Sequence, residues 1–390
     1  MSTKKILFLL GGSFPTPKAY GITTRETINV LIAESYDVNI LSYKSNYYDS
    51  DFDSVVNIMH FYKINFITHY FRNISLLGKS RFHSILFRIV LFLDLSNNVK
   101  KIKFFNPDII WTREPLYAFM CLKILKNIKI VLEVHEISNS FFFRILKKFS
   151  GQIIFCPINE PNLEFLNSIY SNNFSFVISP MGINKNHIAS RAEVKNFVGS
   201  VKQIKNSNIK IGYVGKIRPT TYSKGVEDLI SLAEYSQKYK FNMQVTLLGV
   251  MEEELKFLDQ ILLNKKITEP YLKILGHVSH SLALESLKNF DVLVLPAYTG
   301  SRYNGMPLKF LEYLASGKIV IFGRCALYEK IINKNVKIFF YEPLNIMNLY
   351  KSIMYAIEYE KLSNLILDGI TFAKSFTWEN RTMKILDNFL

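Results

Sequence analysis

Two short stretches of this chain carry cations, free amides and a carboxylate at spacings that suit an anion and a sugar. The first is NGMPLKFLEYLASGK, residues 304–318. Pro307 suits a first helical position, because its missing N–H would have no partner there. Phe310, Leu311 and Leu314 fall on one apolar face, and Gly317 ends the pattern. The unpaired N–H groups behind Gly305 point out of the helix mouth, where an anion is the natural guest. Glu312, on the second turn, can reach back towards such a guest. A carboxylate accepts hydrogen bonds and donates none, which suits a sugar's paired hydroxyls. Lys309 in the first turn adds positive charge. The plain alternative is an amphipathic helix with a solvated glutamate.

The second stretch is IGYVGKIRPTTYSKG, residues 211–225. Gly215, Lys216, Arg218 and Lys224 lie between an apolar run and a helix expected to begin near residues 223–225. Several cations beside free helix N–H groups are what a diphosphate requires, since charge-assisted bonds to phosphate are short and strong. The alternative, a solvated basic loop, is equally open. GGSFPTPKAYG, residues 11–21, offers Gly11, Gly12 and Gly21 before a helix from about residue 22, but its spacing is not that of a dinucleotide fingerprint. Alone, it reads as an ordinary strand-to-helix loop. LEVHEIS ends another apolar run with Glu133, His135 and Glu136, and WTREP poses the same choice with Arg113 and Glu114. Each is a polar cluster at a strand's carboxyl end, an address for a site or for a capping contact.

The elements that must position these groups alternate. Short apolar runs fall at 5–10, 37–42, 108–111, 128–134, 152–156 and 174–178, then at 210–214, 243–249, 272–275, 291–295, 318–322 and 336–340, with helical patterns between most of them. Such alternation predicts parallel sheets covered by helices on both faces. Residues 180–208 are polar and lose the rhythm, so the chain divides there. Residues 43–97 are irregular and rich in Phe, Tyr, Lys and Arg.

The whole composition narrows the partners. With 48 Lys and Arg against 32 Asp and Glu, the net charge is +16, which favours anionic partners. No helix-turn-helix, RNA-recognition or zinc motif supports nucleic acid. Cys121, Cys156 and Cys325 stand apart, and the seven histidines show no ligand spacing, so neither disulfides nor a metal site are expected. The N-terminal apolar run is too short for a secretion signal and leads into glycines, so it reads as a buried first strand. No apolar stretch reaches the length of a membrane span. A cytoplasmic protein is expected, with peripheral contact on the inner face of the plasma membrane. KKIKFF (100–105) and FFFRILKKFSG (141–151) mix cations with large apolar groups, either as membrane-surface helices or as core helices with basic outer faces.

In order along the chain, IGYVGKIRP, KGVEDLISLA, LLG, ILGHVSHSLALESLKNFDVLVLPAY and NGMPLKFLEYLASGKIVIF resemble the retaining nucleotide-sugar glycosyltransferases of family 4. The resemblance implies the GT-B fold: two doubly wound Rossmann-like parallel-sheet domains facing across a cleft. FTWENRTMKIL resembles that family's last helix, which crosses back onto the first domain. The implied division is 1–182 for the acceptor-side domain, 183–375 for the donor domain and 376–390 for the returning helix. The family's basic pair on the donor diphosphate falls on Lys216 and Lys224, with Lys216 standing where Arg is usual. Its ribose-binding Glu falls on Glu312, and the helix mouth at Gly305, Met306, Pro307 and Leu308 is implied to hold the donor's phosphates. The Glu usual eight positions earlier, near the donor sugar, is replaced by Asn304, which can neither act as a nucleophile nor carry charge. Gly21 and Gly215 match the loops that approach phosphate, Gly276 and Val278 the strand end that receives the base, and His135 the active-site histidine.

The resemblance implies a metal-independent transferase without cofactor, using a UDP- or GDP-sugar and a glycan or lipid-linked acceptor. A bacterial surface-polysaccharide role is the expected setting. The competing expectations are a basic membrane- or anion-binding protein of the same fold without transferase activity, and a nucleotide-sugar epimerase.

Overall fold

The computed structural model describes residues 3–45, 47, 49–56, 60–62, 81–135, 140–170, 174–204, 208–217, 224–263, 265–297, 307–326, 328–329 and 336–388. Among the candidates above, Glu136, Arg218, Asn304, Gly305 and Met306 lie outside these residues. The chain divides into two compact units: Met1–Met181 with Trp378–Leu390, and Gly182–Thr377.

The first unit is built on a parallel sheet. Its strands are β1 (Lys5–Phe14), β2 (Asp37–Lys44), β3 (His60–Tyr62), β4 (Ile109–Thr112), β5 (Lys129–Val134), β6 (Ile153–Pro157) and β7 (Ser175–Phe176), in spatial order β3-β2-β1-β4-β5-β6-β7. The inner strands read as continuous apolar runs because both faces are covered; Ile6 to Leu10 are all buried. Helix Trp378–Leu386 belongs to this unit and inserts Ile385 and Leu386 into the same core as Ile6, Phe8 and Ile28.

The second unit repeats the plan. Strands β8 (Ile209–Val214), β9 (Met243–Val250), β10 (Leu272–Gly276), β11 (Val292–Leu295), β12 (Ile319–Gly323) and β13 (Phe339–Tyr341) lie in the order β10-β9-β8-β11-β12-β13, all parallel. The strand order reverses between β8 and β11. In sheets of this kind ligands bind beyond the carboxyl ends of strands at such a reversal.

Three expectations are corrected. The stretch 180–208 is not without rhythm, since helix Arg191–Ile204 occupies most of it. Its signals are Val194, Phe197 and Val201 at helical spacing, all buried, and a capping box in which the Ser190 N–H donates to Glu193 at 2.8 Å while the Glu193 N–H donates to the Ser190 hydroxyl at 3.2 Å. The first helix begins at Ala19 rather than near residue 22. Pro307 is an N-cap with extended ψ of 142°, not the first helical residue, so the helix runs Leu308–Ala315.

Candidate functional site

Helix Leu308–Ala315 is anchored by its apolar face: Phe310 and Leu311 are fully buried and Leu314 nearly so. Each such burial contributes about 1.5–3 kcal/mol. Gly317, at φ +73°, takes the left-handed turn that stops it. Tyr313 ties the helix to the sheet, its hydroxyl accepting from the Val214 N–H at 2.7 Å at the end of β8. The helix that carries Glu312 is therefore fixed to the strand that leads into Gly215.

Gly215 has φ +122°, and a Cβ there would overlap Cε and Nζ of Lys309. Only glycine meets both demands without strain. Lys309 lies across it with Nζ 5.1 Å from the centroid of the Tyr213 ring, an ammonium over an aromatic face. Lys224 Nζ donates to the Lys216 carbonyl at 2.8 Å. Burial, then the neighbouring Lys309 ammonium, pulls the Lys224 pKa down to about 6. Burial also lowers that of Lys309, against the pull of Glu312 and Glu254. Lys216 turns its own ammonium to Glu253 Oε1 at 2.7 Å, near the surface.

Glu254 is buried within this turn and serves the backbone, accepting from the Met251 N–H at 3.0 Å and the Ile217 N–H at 3.3 Å. Glu312 is one helical turn beyond Lys309. Its Oε1 accepts from His280 Nε2 at 2.7 Å, and its side chain is 11% exposed. That bond fixes the carboxylate and leaves lone pairs for a ligand's hydroxyls. Gly276 is exposed at the end of β10, with no heavy atom within 4 Å of where a Cβ would stand, and Val278 lies just beyond. Pro307 and Leu308 begin the helix.

In the C-terminal unit the structure thus brings together Gly215, Lys216, Lys224, Lys309 and Glu312 from the sequence reading, and adds His280. His280 was missed because its link to Glu312 spans 32 residues and joins two helices, which no local pattern reveals.

In the N-terminal unit, Gly21 is buried in the first helical turn, where a Cβ would overlap the Thr16 carbonyl. Glu133, at the end of β5, is buried and accepts four hydrogen bonds. Oε1 takes Trp111 Nε1 at 3.1 Å and Arg381 Nη2 at 2.7 Å; Oε2 takes Arg113 Nε at 2.8 Å and His135 Nε2 at 2.9 Å. Burial would raise its pKa, but Arg381 and then Arg113 outweigh it and hold the carboxyl well below its usual range. Burial and Arg113 push His135 down to about 4, so the imidazole is neutral at pH 7, with Nε2 donating. Arg381 reaches this cluster from the C-terminal helix and also donates to the Pro180 carbonyl at 2.9 Å. Its sequence signal was only a basic residue on a recognisable helix.

Among the described residues, no three His, Cys, Asp or Glu side chains form a group able to hold a metal. No helix among them is long and apolar enough to cross a membrane.

Residues 197–366 match the family described as glycosyl transferases group 1. That span contains Gly215, Lys216, Lys224, Gly276, Val278, Lys309 and Glu312. Solved structures resemble the chain over nearly its full length. Sucrose-phosphate synthase from Thermosynechococcus elongatus is 14% identical with a TM-score of 0.67, covering 99% of this chain and 98% of that one. HepE of Anabaena, in complex with UDP-glucose, is 14% identical with a TM-score of 0.65, covering 99% of each chain. The trehalose 6-phosphate synthase of Burkholderia multivorans is 10% identical with a TM-score of 0.69, covering 99% of this chain and 96% of that one. At such identities the likeness establishes the fold, which is GT-B. No curated protein matches the sequence significantly. The family match supports a place in the glycosyltransferase superfamily.

Proposed function

We propose that the chain is a retaining glycosyltransferase of family 4, moving a sugar from a UDP- or GDP-sugar to a glycan or lipid-linked acceptor. The observation that carries the proposal is the cluster at the β8 turn, where Lys216, Lys224 and Lys309 surround Gly215 beside the helix bearing Glu312. It sits at the carboxyl end of β8, next to the reversal of strand order. In this reading the lysines and exposed amides compensate the charge that builds on the leaving nucleoside diphosphate. Gly276 and Val278 flank the base, and Glu312 accepts from the ribose hydroxyls. No metal is required, because the cations are supplied by the protein. His135, neutral at pH 7, and Asn304 are the proposed sugar-side groups, and Gly21 the proposed phosphate approach in the N-terminal unit. HepE, a protein of the same fold, is described with UDP-glucose. Surface-polysaccharide synthesis in a bacterial cytoplasm is the proposed setting.

Incubation of the full chain with a panel of UDP- and GDP-sugars and extracted acceptor lipids tests this directly. Release of nucleoside diphosphate with a glycosylated acceptor is the expected result. Absence of binding and turnover with every donor would remove the proposal, and an isomerised donor without acceptor would replace it with an epimerase.

A second reading concerns location. On helix Arg81–Phe105, Ile89, Phe92, Leu93, Lys100, Lys103 and Phe104 fall on one exposed face, and Phe104 is 82% exposed. Phe141 is exposed on helix Ser140–Leu146, next to the basic turn at Lys147 and Lys148. Apolar groups ringed by cations suit an anionic membrane surface. Co-sedimentation with vesicles containing anionic lipid, weakened by Phe104→Ser, is expected; equal recovery with and without vesicles would dismiss it.

A further inference from the structure

We infer that His280 is a positioning residue for ribose selection. It holds one oxygen of Glu312 so that the other faces the ligand, and the preference for a ribonucleotide over its 2′-deoxy counterpart depends on that hold. The inference rests on the reading of this unit as a nucleoside-diphosphate site with Glu312 at the ribose.

His280 stands two residues beyond Val278, at the start of helix His280–Ser286. Ser279 caps that helix, its hydroxyl accepting from the Leu282 N–H at 3.3 Å, so the backbone that carries the imidazole is set. His280 Nε2 meets Glu312 Oε1 at 2.7 Å. A carboxylate offers lone pairs only, so Nε2 supplies the hydrogen. The two side chains are 17% and 11% exposed, and water competes little for a bond so placed. Oε2 of Glu312 takes no hydrogen bond from any described residue. One oxygen is thus anchored and the other is open.

The anchor has a rival. Lys309 lies one turn earlier on the same helix, at the spacing where side chains of opposite charge meet, and the two charges attract. Without His280 the carboxylate is free to swing to that ammonium, and a ligand must order it again on binding. The bond also spans 32 residues and ties the turn after β10, which is proposed to flank the base, to helix Leu308–Ala315. One contact therefore sets the ribose carboxylate relative to the base-side turn. His280 acts through Glu312, because the hydrogen on its Nε2 is already engaged there.

The test is titration calorimetry of UDP and 2′-deoxy-UDP into the full chain. The parent should favour UDP about tenfold or more. His280→Phe keeps a ring and removes the donor, and His280→Ala removes both. In each, UDP affinity should fall about two- to tenfold, the cost of ordering one freed side chain, while 2′-deoxy-UDP affinity moves less than about twofold. His280→Gln, whose amide nitrogen reaches the place of Nε2, should keep the parent's ratio within about twofold. In a Glu312→Ala chain, His280→Phe should change UDP affinity by less than about twofold, since its route to the ligand is gone. A parent-like ratio in both the Phe and Ala variants would overturn the inference while leaving the proposed function standing. So would a Gln variant no better than Phe, or a further loss of UDP affinity in the Glu312→Ala chain, which would put His280 on the nucleotide itself. A parent that binds UDP and 2′-deoxy-UDP equally would take Glu312 off the ribose, and no binding of any nucleoside diphosphate would overturn the proposed function; the inference falls with either.

Discussion

Replacing Arg381 by Met removes a cation from a buried carboxylate that accepts four hydrogen bonds. The Arg381 and Glu133 side chains are 3% and 2% exposed, and their Nη2–Oε1 distance is 2.7 Å. Breaking a buried pair by deleting one partner costs about 3–5 kcal/mol, because the other charge is stranded. Glu133 keeps Arg113, His135 and Trp111, so the lower end, about 3 kcal/mol, is expected. For a domain of roughly this size each kcal/mol lowers Tm by about 2–4 °C, giving a fall of about 6–12 °C. Met preserves length and apolar contact with Trp378, so packing loss stays small. Differential scanning calorimetry reads the shift, and amide exchange over residues 378–386 should quicken, since Arg381 also holds the Pro180 carbonyl. Pairing the change with Glu133→Gln removes the stranded charge and should recover at least about 1 kcal/mol of the sum of the single losses. A Tm within 2 °C of the parent, or strict additivity of the two changes, would refute the reasoning; both thresholds follow from the roughly 3 kcal/mol expected.

Three further outcomes follow from the same geometry. His135 is held at about pKa 4 in the folded state while an unfolded histidine titrates at about 6.5, so the unfolded chain binds the extra proton in that window. Stability should therefore fall as pH drops from about 6.5 to 4, by at most about 3 kcal/mol, and then fall further as the depressed Glu133 carboxyl protonates; an imidazole that titrates near 6.5 by NMR would contradict this. Gly215→Ala forces a positive φ and an overlap with Lys309, so a loss of about 1–3 kcal/mol in urea unfolding is expected together with weaker UDP binding. Unchanged values of both would count against the fixed turn. Glu312→Ala should abolish discrimination between UDP and 2′-deoxy-UDP, which in the parent should be about tenfold or more, the worth of a hydrogen bond to a charged group; equal preference in parent and variant would remove Glu312 from the ribose.

The alternating architecture was legible because parallel strands covered on both faces leave unbroken apolar runs, and each run expected from β1, β2, β4 to β6 and β8 to β13 is a strand within a few residues. Helix Leu308–Ala315 was legible in outline, but its first residue was not, since Pro satisfies either an N-cap or an N1 position when only one N–H separates them. Helix Arg191–Ile204 was hidden by its polar outer face, although its capping box and the Val194, Phe197, Val201 spacing were present. Strand β3 lies in the irregular stretch 43–97 and is only three residues long, too short for any period to declare itself. Long-range contacts were the least visible. Glu133 and Arg381 meet across 248 residues, and Glu312 and His280 across 32, and neither pairing follows from local spacing. Lys216 shows the opposite case: its place beside Gly215 was readable, but its engagement with Glu253 was not.

The central claim is that the turn after β8 and the helix bearing Glu312 grip a nucleoside diphosphate. Titration calorimetry of UDP and GDP into the parent, Lys224→Ala and Glu312→Ala chains tests it most directly. The account predicts one nucleotide bound per chain, with affinity reduced about tenfold or more in each variant while Tm changes little. Absence of binding by either nucleotide, or undiminished affinity in both folded variants, would contradict it.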